Sequence, residues 1–142
     1  MPDIELAARE IRRVLHPDGV FIAVTNSVSN LQELRDLVEA AVGRHWKMLR
    51  PADQRFNMEG GAALLLSAFE SVVRRDCPPS DLVVTDVDAV VDYVASVADN
   101  YEGQVDVPWA EVVRRVRDLA SAAMSRDGEL RFSTGAGAFV CR

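Results

Sequence analysis

The chain lacks most of the devices that announce a chemistry. It has two cysteines, Cys77 and Cys141, which make no disulfide framework and no Cys-x-x-Cys pair. They read as two reduced thiols. Its two histidines, His16 and His45, are far apart and lack carboxylate or thiol partners at helical spacing, so no metal site is implied. Gly60-Gly61 and Gly135-Ala136-Gly137 lack the strand-turn-helix setting of a phosphate-binding loop. No serine sits in a Gly-x-Ser-x-Gly elbow. No apolar run approaches the roughly 18 residues a membrane span needs. Residues 1–20 read as an arginine-bearing amphipathic segment without a small-residue cleavage site, so no signal peptide is expected. Lysine occurs once, at Lys47, against fifteen arginines, a skew that fits GC-rich codon use better than recognition chemistry.

What is present is a globular composition. Across 142 residues, 49% are hydrophobic and 27% charged, which excludes disorder or low complexity as the main state. The net charge of −6 opposes a general nucleic-acid binder. A cytoplasmic protein of one small domain is expected, without internal repeats or a dividing linker.

Local patterns predict an α/β chain with about five helices. Ile4, Ala7, Ala8, Ile11, Val14 and Leu15 recur at helical spacing, with Asp3 as the start cap and His16-Pro17-Asp18-Gly19 as the stop. Residues 20–24 run unbroken and apolar, the mark of a parallel strand buried on both faces. A second helix is predicted from Asn30 to Val42 with Gly43 closing it, then a connecting segment over 44–56 carrying Trp46. A third helix is predicted from a cap at Asn57 to about Phe69, burying Ala63, Leu64, Leu66 and Phe69. Residues 71–77 read as a strand and 82–84 as a short extended piece. Asp86 or Asp88 opens a fourth helix carrying Val90, Val91, Val94, Val97 and Ala98. A fifth begins near Pro108, runs to about Ser125, and buries Val112, Val113, Val116, Leu119 and Ala120 or Ala123. Two strand pieces close the chain around a turn or bulge at 135–137.

Few residues invite a functional reading. Asp86 and Asp88 could serve acid–base chemistry, but acids at a helix start complement the helix dipole. His16 fits a turn. Trp46 and Tyr93 could stack on a ligand or cover the core. Thr25-Asn26-Ser27 stands at the carboxyl end of a strand, where open α/β sheets bind ligands; a capped turn is the other reading.

The run Glu10-Ile11-Arg12-Arg13-Val14-Leu15-His16-Pro17-Asp18-Gly19 followed by residues 20–27 resembles the class I S-adenosylmethionine-dependent methyltransferases. In that family a helix ending E-x-x-R-V-L-x-P-G-G feeds the fifth strand. Phe56-x-x-Glu59-Gly60-Gly61, with Leu64, Phe69 and Val72 beyond it, resembles a family subset reading F-x-x-E-N-G. Residues 82–86 with Val90, Tyr93 and Ser96 resemble a further helical insertion. Gly128, Phe132 and Gly137-Ala138-Phe139-Val140 resemble the final strand. Asp18 and Gly60 depart from the pattern, standing where the family has glycine and asparagine.

The resemblance implies a partial Rossmann-like fold of about three strands in the spatial order five-seven-six. Residues 28–56 and 78–127 would be helical insertions on the substrate side. It implies that the portion holding S-adenosylmethionine lies outside this chain, which alone should neither bind that cofactor nor transfer a methyl group. Thr25, Asn26 and Tyr93 would line the pocket of a small-molecule acceptor; no catalytic residue is assigned. The fifth strand would keep a free edge, implying a homo-oligomer, most simply a dimer, or completion by a polypeptide carrying the missing half. Neither nucleic acid nor membrane is implied as a partner. A non-catalytic dimerisation or interaction module derived from such an enzyme is the alternative.

Overall fold

The computed structural model describes residues 3–43, 48, 55–101 and 103–142. Trp46 and most of the expected connecting segment lie outside the described residues. The chain is α/β and divides into two compact units: Met1–Asn30, Leu49–Pro79 and Gly135–Arg142 form one, Leu31–Met48 and Ser80–Thr134 the other.

The first unit holds α1 (Ile4–Val14), β1 (Phe21–Asn26), a short α3 (Gly61–Leu65), β2 (Val72–Asp76) and β5 (Ala136–Cys141). Asp3 caps α1 by accepting the Leu6 N–H at 2.8 Å. The helix turns Ala8 into the core and leaves Val14 69% exposed, so the buried stripe is narrower than its spacing implies. The sheet order is β1-β5-β2, both pairs antiparallel, with Ala23 opposite Phe139 and Arg74 opposite Phe139 on the other side. Ala8, Ala23, Met58, Leu65, Phe69, Phe139 and Cys141 form the core.

Two expectations change here. β1 is not a parallel strand buried on both faces: its described neighbour runs antiparallel, Ala23 is buried, and Ile22 and Val24 are 58% and 74% exposed. Its apolar run therefore covers an inside and an outside face alike. The third helix is five residues long rather than thirteen, because Asn57 folds into a turn, accepting the Glu59 and Gly60 N–H groups at 3.1 and 2.8 Å. Glycine at 60 and 61 is also poor helix material. The buried positions become Gly61, Leu65 and Phe69, while Ala63 and Leu66 are exposed and Leu64 only half-buried.

The second unit holds α2 (Gln32–Val42), β3 (Ser80–Val84), α4 (Val87–Ser96), a 3₁₀ turn (Ala98–Asn100), α5 (Trp109–Asp127) and β4 (Leu130–Thr134). β3 and β4 pair antiparallel, Leu82 opposite Phe132. The described strands thus number five in two sheets, not about three in one. β4 and β5 are consecutive yet belong to different sheets, so Gly135 joins two sheets and is not a hairpin turn.

Asp86 caps α4 by accepting the Asp88 N–H at 2.9 Å, and Gly43 and Gly128 close α2 and α5 at φ +80° and +78°. Asn30 does not cap α2. Leu31 occupies that position at φ +56°, and the Asn30 side chain accepts the Gly135 N–H at 3.0 Å. Val97 and Ala98 fall beyond the end of α4. Val38, Val94, Val112, Val116 and Ala120 fill the core, whereas Leu119 is 39% exposed and Val113 only packs against the core's margin. Tyr101 and Trp109 stack at 5.4 Å between ring centres, and Trp109 Nε1 donates to the Val94 carbonyl at 2.9 Å.

Candidate functional site

A polar cluster lies at the carboxyl end of β1. Thr25 and Asn26 end the strand, and the turn at 56–60 comes back against them. Thr25 Oγ1 donates to the Phe56 carbonyl at 3.1 Å, and the Met58 N–H donates to the Asn26 carbonyl at 3.1 Å. Ser27 N–H donates to the Gly135 carbonyl at 2.8 Å, fixing the start of β5 to the same place.

Glu59 is the centre of this cluster. Its Oε1 accepts the Ser27 hydroxyl at 2.6 Å and its Oε2 accepts the Val28 N–H at 3.1 Å. Ser27 and Ser29 Oγ stand 2.9 Å apart. These bonds favour the ionised carboxylate. The Ser27 hydroxyl lowers its pKa most, desolvation pushes the other way, and the Val28 N–H and the Arg74 charge add to the lowering. Arg74 braces the turn by donating to the Met58 carbonyl at 2.7 Å while pairing with Asp76 at 2.6 Å.

Beside the strand, an apolar groove of about 380 Å³ runs between α1 and β1, lined among others by Ile4, Ala7, Ile11, Ile22 and Phe56. In the second unit, another groove of about 450 Å³ has Leu37, Leu130 and Phe132 as apolar lining and Glu33, Asp127 and Glu129 around it. Glu33 accepts both the Ser133 N–H, at 2.8 Å, and the Ser133 hydroxyl, which lowers its pKa foremost among the causes. Burial raises the pKa of the Cys141 thiol, and Cys77 is an exposed free thiol.

The sequence-derived site residues fall in both units. Thr25 and Asn26 are adjacent in the first, the Thr25 hydroxyl spent on Phe56; Tyr93, on α4 of the second, is 41% exposed. Glu59 was visible only as a letter of the Phe56-x-x-Glu59 motif; its partner Ser27 lies 32 residues away and shares no local spacing with it. Among the described residues, no group of three or more His, Cys, Asp or Glu side chains could hold a metal ion. No helix among them is long and apolar enough to cross a membrane.

Three glycines stand against neighbouring side chains. A Cβ on Gly61 would stand 2.6 Å from Phe139 Cε2, and one on Gly135 would stand 3.0 Å from the Ser27 Cβ. At Gly137 it would collide with the Met58 side chain. These positions are small to admit neighbouring side chains.

No protein-family model matches the chain, and no curated protein matches it.

Proposed function

We propose that this chain is the carboxy-terminal, substrate-side portion of a protein similar to the class I methyltransferases, with its cofactor-holding portion outside these residues. The observation that carries the reading is the first unit's sheet. β1 and β2 flank β5, which runs opposite to both, an arrangement in keeping with the five-seven-six order that the resemblance implies. The order is informative because the central strand is the last in the chain, which a simple meander would not give.

Two further observations support it. The second unit takes its residues from Leu31–Met48 and Ser80–Thr134, close to the substrate-side insertions expected at 28–56 and 78–127. The Phe56-x-x-Glu59-Gly60-Gly61 motif forms the turn that ties down the end of β1.

S-adenosylmethionine, held elsewhere, would supply the transferable methyl group. The contribution of this chain is positioning: a small acceptor is oriented and water excluded, which is most of what methyl transfer asks of a protein. In the first unit, Asn26 at the end of β1 is the side chain offered to that acceptor, with Thr25 fixing the strand end.

Reading the coding DNA ahead of codon 1, and the adjacent genes, tests the proposal. A glycine-rich turn after a strand, with an acid ending the next strand, is expected in one of them. Its absence from all of them sinks the reading. Calorimetry of the 142-residue chain with S-adenosylmethionine should give no binding heat, and a micromolar affinity would also overturn it.

A further inference from the structure

α2 begins without the cap its sequence supplies. Asn30 and Glu33 stand at the spacing of a capping box. In that motif the first side chain accepts an N–H of the opening turn, and the second reaches back to the first residue's own N–H. Here no side chain caps the helix, and the Asn30 N–H donates to the Ser27 carbonyl at 3.1 Å. Asn30 Oδ1 accepts the Gly135 N–H at 3.0 Å, 105 positions along the chain. Glu33 accepts the Ser133 N–H at 2.8 Å, 100 positions along, together with the Ser133 hydroxyl. Both halves of the box are lent to residues 133–135.

The cost falls on Leu31. Its backbone sits at φ +56° and ψ +41°, in the left-handed region that leucine enters at a penalty and glycine does not. Among the described residues, no other residue except glycine has a positive φ. The Leu31 N–H donates to the Ser133 carbonyl at 2.8 Å and its carbonyl accepts the Arg35 N–H at 3.2 Å, which hold the strained residue from both sides.

We propose that residues 30–33 and 133–135 form a two-state junction. In the second state Leu31 relaxes to the right-handed helical region, Asn30 caps α2 by accepting the Glu33 N–H, and Glu33 returns to the Asn30 N–H. Ser133 and Gly135 are then released. Each side chain gives up one backbone N–H and takes another, so the exchange is nearly balanced. The observed state keeps the Ser133 hydroxyl bond and strains Leu31; the second gains a local cap and relieves the strain. Two arrangements of one segment, each with its own gain and cost, are what a conformational switch needs. Ser27 N–H donates to the Gly135 carbonyl, so the junction reaches the end of β1, beside Asn26. The proposal stands without the methyltransferase reading.

Nuclear magnetic resonance relaxation dispersion on the whole chain tests it, with Leu31→Ala and Leu31→Gly compared. Both variants lose the leucine side chain, so they differ in backbone preference alone. Alanine disfavours the left-handed state and favours the helix, whereas glycine does the reverse. The amides of residues 31, 133 and 135 should disperse with one common rate in Leu31→Ala, and the minor state should carry helical carbon shifts at residue 31. Its population should be about tenfold lower in Leu31→Gly. Flat profiles in Leu31→Ala, equal minor populations in the two variants, unrelated rates at the three amides, or minor-state shifts that are not helical each overturn the proposal. Circular dichroism checks that both variants fold. If either does not, the profiles of the unaltered chain decide, and flat ones at all three amides sink it.

Discussion

The Ser27 hydroxyl donates to Glu59 Oε1 across 2.6 Å, tying the end of β1 to a turn 32 residues later in the chain. The same carboxylate takes the Val28 N–H, so a single side chain fixes the path of the chain as it leaves the strand. Hydrogen bonds to a charged group are stronger than neutral ones. The surroundings are exposed, which moderates the effect.

Glu59→Ala should therefore cost about 1 kcal/mol, at the lower end for a charge-assisted bond. Ser27→Ala should cost a similar amount, and the two losses should not add, since both remove the same contact. Urea unfolding of the two single variants and the double variant measures this coupling; strict additivity would show that the residues act independently.

A larger loss is expected at Trp109. Its indole N–H donates to the Val94 carbonyl in the buried core, and its ring stacks on Tyr101. Trp109→Phe keeps an aromatic ring but leaves that carbonyl without its donor and a space beside it. About 2–3 kcal/mol should be lost, combining an unmet buried acceptor with a small cavity. Near-ultraviolet circular dichroism should also change, because the stacked pair is altered.

How much of this could be read ahead depends on how local each interaction is. Asp3, Asp86, Gly43 and Gly128 act within a turn of the helix they bound, and their roles are visible in the sequence. Asn30 carries the same capping signature, but its side chain is claimed by Gly135, 105 residues distant, and Leu31 takes the cap position. The apolar run at 20–24 conceals the alternation that the β5 pairing imposes, since either face would carry the same residue types. Likewise, the division of β4 and β5 between two sheets depends on β3, a strand some fifty residues earlier. At the site, Thr25 and Asn26 were legible as a strand end. Glu59 was not legible as their anchor, because nothing local pairs it with Ser27.

Gly137 tests the packing of the first sheet. A Cβ there would meet the Met58 side chain and the Arg75 carbonyl. The carbonyl belongs to the neighbouring strand and cannot move without disturbing the β2–β5 ladder. Gly137→Ala should cost about 1–3 kcal/mol as an overpacking change, despite the better intrinsic strand preference of alanine. A thermal melt showing an equal or higher Tm would mean that Met58 and the strand yield readily.

Acid should weaken the fold through carboxylates that the native state holds ionised. Glu111 is the strongest case: Arg114 and Arg115 both bond to it and hold its pKa down to about 2, against an ordinary value of 4.5. Glu33 and Glu59 are shifted the same way, chiefly by the Ser133 and Ser27 hydroxyls. Each depressed carboxyl binds fewer protons folded than unfolded, so its contribution is complete above its ordinary pKa and fades as pH falls towards the native one. Stability measured by urea unfolding should therefore be flat for these groups above about pH 5.5 and decline between about pH 4.5 and 2. Glu111→Gln removes one of them and should make that decline shallower while leaving its pH window in place. A slope unchanged by Glu111→Gln would show that the pairing with Arg114 and Arg115 persists in the unfolded chain or contributes nothing to folding.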